Sequence, residues 1–422
     1  LTMTHAEPAT LPAWLAEQAR RRAPAPAIRS KRLGSWHALR WDDVAARTRA
    51  LAAGLARRGF RQGDTLLLAA PPSERAVLLS LAAQWLGGVA VPIDTALGDA
   101  ALRHAIEHLS ARLAFADDDA TLDRLLPLGV QIIDGNPRGL RDHPDPAVVG
   151  LASLQKPHAG DAEHDPLLPG EPLARADDTA FLFVDALGDG TLVTQHLTHA
   201  SLIHDGRAVV AREALDAREE AFATRAFAAS AQARYLIAPW LIAGFSLHFP
   251  EALSTRDADR REIAPTLVAG TRETYARVAA LVHERLPASG WRRALVNAAL
   301  GGTGGPVTRR LARWGVARPL REVIGFARTR VALVAGAPLD ERTSALFAAL
   351  DVDVHAWPDA SDWRQVAPRS VGPRSVGPRS VGPRPVPHHA GTAHPRETAV
   401  AQHAPAHRDR DDRHIEYGRV PS

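Results

Sequence analysis

Thr179-Ala-Phe-Leu-Phe-Val-Asp-Ala-Leu-Gly-Asp-Gly-Thr-Leu-Val-Thr-Gln-His-Leu-Thr-His199 is the stretch on which the fold turns. Ala180 to Val184 is an unbroken apolar run bounded by polar residues, the pattern of a buried strand. Leu187 to Thr191 holds two glycines and reads as a tight turn. From Leu197 the chain reads as a helix start, with Thr198 or Ser201 as the capping hydroxyl. Strand, glycine turn and helix in that order would aim backbone N–H groups at an anion.

The same alternation extends in both directions. Upstream, Leu11 to Ala23 is an amphipathic helix stopped by Pro24 and Pro26. Trp41 to Arg58 carries Val44, Ala45, Leu51 and Leu55 at helical spacing, with Gly59 as its C-terminal stop. Short apolar runs at Leu66–Ala69, Val89–Pro92, Leu113–Ala116 and Val130–Ile133 alternate with helical segments such as the one near Ser73–Leu86. That alternation predicts a parallel, doubly wound α/β layout. Residues 137–178 are rich in Pro, Gly, Asp and His and read as a long surface connection. Downstream, helices are expected near Leu202–Ala214, Tyr275–Leu286 and Glu341–Leu350, with strands near Phe245–Phe249 and Val331–Val334. The expected division is a first α/β subdomain over 1–178, a second over 179–365 and a tail over 366–422.

The ordered set of segments resembles a known family. Ser35 to Asp64, followed by a strand, a helix and Gly87-Gly-Val-Ala-Val-Pro-Ile93, is similar to the opening of adenylate-forming enzymes of the long-chain fatty-acid acyl-CoA synthetase type. Arg261 to Tyr275 and Val334-Ala-Gly-Ala-Pro-Leu339 resemble two further segments of that family. The resemblance runs from about residue 10 to 365. It implies the α/β fold of a large N-terminal adenylation domain built of layered subdomains. It also implies ATP-dependent activation of a carboxylate and transfer of the acyl group to CoA, with Mg²⁺ as the metal. By the same resemblance the nucleotide would face Gly188, Gly190, Thr191, Gly336, Ala337, Pro338 and Ser361, with Asp362 as the Mg²⁺ ligand.

Several of the family's groups are replaced. Aligned on Thr198-His199, the phosphate-loop Lys of the family falls on Val193. Its Ser/Thr positions fall on Asp185, Ala186 and Asp189. A triphosphate needs donors and cations around it. Carboxylates at those positions repel it, and with the missing Lys they weaken its binding by several decades. Recruitment of Mg²⁺ by one of these carboxylates is the alternative. Ala226 to Ser230 stands where the family has an acyl-pocket and gating segment, with Ser230 in place of its His. Arg234 fits the family's nearby Arg. An ordinary packed helix over Phe227–Trp240 accounts for the same residues. Pro358 stands where an aromatic stacks on adenine, with Trp357 as the substitute if the strand shifts by one. The expected fold is thus incomplete, lacking the small C-terminal mobile domain, and the expected activity is lost or impaired. A non-catalytic acyl- or nucleotide-binding protein, or one that works with a partner chain supplying the missing domain, are the other readings.

Composition narrows the classes further. The 422-residue chain has no Cys, which excludes disulfides and thiolate catalysis. Its net charge of +4 is carried by nine Arg against five acids in 366–422, so residues 1–365 are neutral overall. A nucleic-acid partner for the folded body therefore has little support. No apolar run is long enough for a membrane span and the start lacks a secretory core, so a cytoplasmic location is expected, with peripheral membrane contact left open. Arg-Ser-Val-Gly-Pro recurs three times from Arg369 to Pro383. Such a tail cannot bury enough apolar surface to order itself, and error-free short repeats point to a shifted reading frame. Gly301–Pro306 as an anion cradle, and His388, His389 and His394 as metal ligands, are weaker candidates that lack a pre-organised frame.

Overall fold

The structure, a computed structural model, describes residues 7–135, 143–156, 169–187, 189, 191–223, 229–286, 289–290, 296, 313–358 and 363–366. All of them lie in one compact unit spanning 1–369. The RSVGP repeats, the tail histidines and the Gly301–Pro306 segment lie outside the described residues.

An antiparallel hairpin opens the body, β1 (Pro26–Arg32) and β2 (Ser35–Arg40), turned at Leu33-Gly34. Five parallel strands follow: β3 (Thr65–Ala69), β4 (Val89–Ile93), β5 (Leu113–Ala116), β6 (Gln131–Asp134) and β7 (Val148–Gly150). A second hairpin, β8 (Thr179–Ala186) with β9 (Leu192–Thr198), is antiparallel within itself and parallel to β4. Then come β10 (Glu220–Phe222), β11 (Ser246–Phe249), β12 (Leu267–Gly270), β13 (Val331–Ala335), β14 (Val354–Trp357) and the short β15 (Arg364–Gln365). They assemble into an eight-stranded sheet ordered β15-β9-β8-β4-β3-β5-β6-β7 and a seven-stranded sheet ordered β14-β13-β12-β10-β11-β1-β2.

Two features of this topology depart from the sequence expectations. The sheets do not follow the chain. β8 and β9, beyond residue 178, complete the sheet begun by β3, whereas β1 and β2 join the later strands. The turn at Leu187–Thr191 does not lead into a helix either. It closes the β8–β9 hairpin, and helix His199–Arg212 starts only after β9, with Thr198 Oγ1 accepting from the Ser201 amide at 3.1 Å. Leu192-Val-Thr-Gln-His-Leu-Thr198 carries β-branched residues at three positions and pairs residue by residue with β8, so the strand prevails over the helix start. Among the described residues no helix start follows directly on the turn.

The connection expected over 137–178 contains structure as well. β7 pairs with β6, and helix Leu151–Leu154 packs under helix Trp41–Arg57. The folded body also reaches one residue past 365, since Val366 is buried and its amide donates to Leu192 O at 2.9 Å.

Helix Glu74–Trp85 shows how the two sheets share one core. Its twelve-residue run ERAVLLSLAAQW has no polar face beyond its first turn, and almost every residue is buried. A helix apolar all round must lie inside the protein. This one contacts β3 and β4 of one sheet and β1 of the other. The largest apolar cluster accordingly joins residues of both sheets, from Leu66 and Phe181 to Ile28 and Leu247. A second cluster covers the far face of the eight-stranded sheet and a third the far face of the seven-stranded sheet.

Gly54 marks the tightest approach in this packing. A Cβ there would lie 2.2 Å from Leu154 O and 2.6 Å from Leu154 Cγ. Gly54→Ala improves helix propensity by about 1 kcal/mol. The clash is with backbone and outweighs it, so we expect a net loss of about 1–3 kcal/mol, read as a lower urea midpoint. A midpoint equal to or above the parent's contradicts this packing.

Candidate functional site

β12 and β13 are parallel neighbours, so their carboxyl ends leave the sheet side by side. Ligands in open α/β sheets bind at such ends. After β12, Thr271 opens helix Arg272–Arg285 with a capping box that uses Thr274. After β13, Gly336 takes φ +84°, a left-handed conformation that favours glycine, and its amide donates to Trp357 O at 2.9 Å. Ala337 and Pro338 follow in exposed positions, and Asp340 caps helix Glu341–Ala349 by accepting from Thr343 N at 2.9 Å. Arg272 Nε donates to Pro338 O at 3.1 Å, tying the two strand ends together. Tyr275 braces the same ends from behind. Its hydroxyl donates to Leu333 O at 3.0 Å, and its full burial pushes its pKa up.

Facing these ends is a broken helix: Ser230–Gln232, a π turn over Ala233–Ile237, and Ala238–Ala243. Such π turns insert an extra residue and concentrate at functional sites. A shallow, half-open apolar pocket lies between the two. Ala229, Ala231, Gln232 and Tyr235 form one wall; Ala269, Gly270, Thr271, Leu333 and Ala335 form the other. Of the helix expected over Phe227–Trp240, residues 227–228 lie outside the described residues; from Ser230 the chain is helical, interrupted by the π turn, and its residues line this pocket. Ser230 is buried at its start. Arg234 turns aside to Asp205, Nη1 to carboxylate 2.6 Å.

The glycine turn is organised by its own carboxylates. Leu187 N donates to Thr191 O at 2.9 Å, closing the loop. Asp185 accepts from the Ala186 amide at 2.8 Å, and Asp189 accepts from the Thr191 amide at 2.9 Å. The bonds from Thr191, backbone first and then side chain, hold the Asp189 carboxyl below its ordinary pKa. Three N–H groups of the turn are thus already satisfied, two of them by carboxylate oxygens. Val193 lies on β9 between β8 and the edge strand β15, paired with Asp185 on one side and Gln365 on the other, and is buried. Gly188 and Gly190 lie outside the described residues.

Trp357 does not stand in for the missing aromatic. It is buried in the shared core. Its indole N–H donates to Glu213 Oε1 at 3.1 Å, and the Arg212 guanidinium sits 4.8 Å above its ring. One ring face and the polar edge are committed to the protein. Glu213 also holds His355 through Nδ1 at 2.5 Å, which raises the pKa of His355. Tyr235 leans against Trp357 with ring centroids 5.5 Å apart, and its hydroxyl donates to Pro358 O. Neither Tyr235 nor Glu213 was singled out from the sequence. The one available signal was that Tyr235 is among only three tyrosines of the chain.

Ser361 and Asp362 lie outside the described residues. Among the described residues no group of three or more His, Cys, Asp or Glu is placed to hold a metal ion. No helix among them is long and apolar enough to cross a membrane.

The two-sheet body matches the N-terminal adenylation domain of solved enzymes. It superposes on the A-PCP didomain of carboxylic acid reductase from Segniliparus rugosus, solved in complex with AMP, with a TM-score of 0.63 at 15% identity, covering 84% of this chain and 53% of that one. The N-terminal domain of FACL13 from Mycobacterium tuberculosis gives a TM-score of 0.58 at 15% identity, covering 83% of this chain and 76% of that one. The chain belongs to the AMP-binding enzyme family, whose profile matches residues 15–350. Over 86 residues it is 36% identical to naringenin synthase from Pestalotiopsis fici, a match that covers 20% of this chain and 3% of that protein. At this level of identity the solved structures speak for the fold alone.

Proposed function

We propose that this chain is a fatty-acid CoA-ligase-like adenylation domain, of the long-chain type by its motifs, in which carboxylate activation is impaired. The observation that carries the reading is the occupied turn. The amides of Ala186 and Thr191 are bonded to Asp185 and Asp189, and Val193 stands buried where the resemblance places a lysine. A polyphosphate arriving there meets two negative charges and finds those donors engaged. The strand-end turn Gly336-Ala-Pro338, where the resemblance places adenine, is exposed at Ala337 and Pro338, and the pocket beside it offers an apolar seat for an acyl tail. In the intact reaction ATP and the acid form an acyl adenylate and release pyrophosphate, and CoA then displaces AMP. ATP, Mg²⁺ and CoA are the co-substrates and metal this reading assigns, and a cytoplasmic location suits them.

An apolar pocket at the β12 and β13 ends, together with the occupied phosphate turn, favours one further reading: a non-catalytic protein that binds an acyl group or AMP. Titration of the full chain with AMP and with ATP–Mg²⁺, alongside pyrophosphate exchange with fatty acids, tests both. We expect ATP to bind no more than about threefold tighter than AMP, with exchange at background. Replacing both carboxylates, Asp185→Thr with Asp189→Thr, should tighten ATP by about tenfold or more and leave AMP unchanged. ATP binding more than tenfold tighter than AMP in the parent, or clear exchange, overturns the impaired reading. Absence of AMP and fatty-acid binding removes the alternative.

A further inference from the structure

We propose that β2 is a self-association edge: two copies of this chain pair β2 against β2 across a two-fold axis and join their seven-stranded sheets into one. Each sheet ends in two edge strands, and β2 differs from the other three. β7 has three residues, β14 four and β15 two, whereas β2 has six, Ser35-Trp-His-Ala-Leu-Arg40. Natural sheets blunt their edges with short strands, proline or lysine. β2 contains no Pro and no Lys, and Ser35, His37, Ala38 and Arg40 are exposed.

The hairpin dictates which backbone groups face outward. Leu33 at φ +48° and Gly34 at φ +74° form a two-residue turn with both centres left-handed, which makes Arg32 and Ser35 a hydrogen-bonded pair. Bonded and non-bonded pairs alternate along an antiparallel ladder. Ser35, His37 and Leu39 therefore bond inward to β1, while Trp36 and Ala38 turn their N–H and C=O groups outward. No hydrogen bond from another described residue satisfies those groups.

An identical strand fits this edge in one register. Trp36 faces Ala38 of the second copy, Ala38 faces Trp36, and His37 meets His37 on the axis. Every outward group of Trp36 and Ala38 then has a partner. Centring on Ala38 instead would call on the Arg40 amide, which already donates to Asp43 at 3.0 Å. Centring on Trp36 would call on the Gly34 amide, which donates to Glu251 at 3.1 Å. In the register that remains, a large side chain opposes a small one. Arg40 comes diagonally beside Trp36 and the half-exposed Glu262 that accepts from its indole N–H. Such an isologous contact closes on itself and stops at two copies. One strand pair buries less than a standard interface, so the dimer dissociates with a constant on the order of 10–100 µM.

The chain has no Cys, so a single introduced cysteine reports the register. His37→Cys places two thiols in a non-hydrogen-bonded pair with Cα atoms about 4.5 Å apart, a distance a disulfide spans. Under mild oxidation of the full chain it should cross-link at least about tenfold faster than Leu33→Cys at the exposed hairpin tip. Sedimentation velocity of the parent should show monomer at about 1 µM and a substantial dimer fraction at about 100 µM. Ala38→Pro removes an outward N–H without touching the ladder to β1. It should hold the chain monomeric at both concentrations and leave the urea midpoint of the monomer unchanged. His37→Asp sets two carboxylates on the axis and should weaken the dimer by about tenfold or more, which keeps the test sound if Ala38→Pro misfolds. A dimer that survives both variants, or equal cross-linking of the two cysteine variants, overturns the proposal. A parent still monomeric at about 100 µM also overturns it, and leaves the β2 edge to a strand of another protein.

Discussion

Lowering the pH from 7 to 5 should cost the folded body about 2 kcal/mol at each of two buried histidines. His248 on β11 is fully buried and neither ring nitrogen has a hydrogen-bond partner. Burial, with Arg29 and Arg328 nearby, pushes its pKa down to about 3. His199 is also fully buried. Its Nδ1 accepts from Leu11 N at 3.2 Å, which keeps the ring neutral, and burial lowers its pKa to about 4. In the unfolded chain both titrate near 6.5. Below that pH the unfolded state binds more protons than the folded one, so stability is full above about pH 6.5 and falls as pH drops toward 3–4.

Two groups act in the opposite sense. Burial raises Asp117 to about 6, despite Arg75 at 3.0 Å, and Glu213 raises His355. Each takes up a proton more readily in the fold than out of it, so each offsets part of the loss on acidification. The decisive comparison is therefore parent against His248→Leu by urea unfolding at both pH values. The variant should lose about 2 kcal/mol less than the parent between pH 7 and 5. Equal losses would show that His248 is not held neutral.

The second large effect is at Trp240. Its ring stacks on Trp41 with centroids 4.9 Å apart and planes 22° from parallel, and both rings are fully buried. Its indole N–H donates to Ala27 O at 3.1 Å, joining helix Ala238–Ala243 to β1. Trp240→Ala removes the ring from a site already packed on every side and should cost about 3–5 kcal/mol. Trp240→Phe keeps most of the contact and should recover all but the loss of the hydrogen bond, about 1 kcal/mol, and of some stacking area. A loss below 1 kcal/mol for the alanine variant would contradict this placement of the helix.

Local structure was legible wherever one residue type forces it. Leu113–Ala116 is a strand with the bounds its apolar run implies, and helix Trp41–Arg57 ends near Gly59 with φ +82°. Thr198, one of the two hydroxyls at that helix start, caps helix His199–Arg212. What was not legible depends on partners far along the chain. β9 carries a pattern that serves strand or helix, and only its pairing with β8 decides. β1 and β2 were missed because half their residues face solvent, and the partner that fixes them, β11, lies more than 200 residues away. At the site, the wrong sign of charge at Asp185 and Asp189 could be read directly. That those carboxylates occupy the turn's own amides could not, since it is a matter of geometry. Tyr235 and Glu213 escaped notice because their roles arise from Pro358 and Trp357, more than 100 residues downstream.

The pairing of β1 with β11 also bears on how the chain is made. On the edge away from β2, Ile28, Arg29 and Ser30 pair with Leu247, His248 and Phe249. At about 5–20 residues per second of synthesis, the early hairpin waits roughly 10–40 seconds on the ribosome with one ladder edge unclosed. That interval is a window for holding chaperones and for misassembly between neighbouring nascent chains, and protease protection of the hairpin should appear only after β11 has emerged.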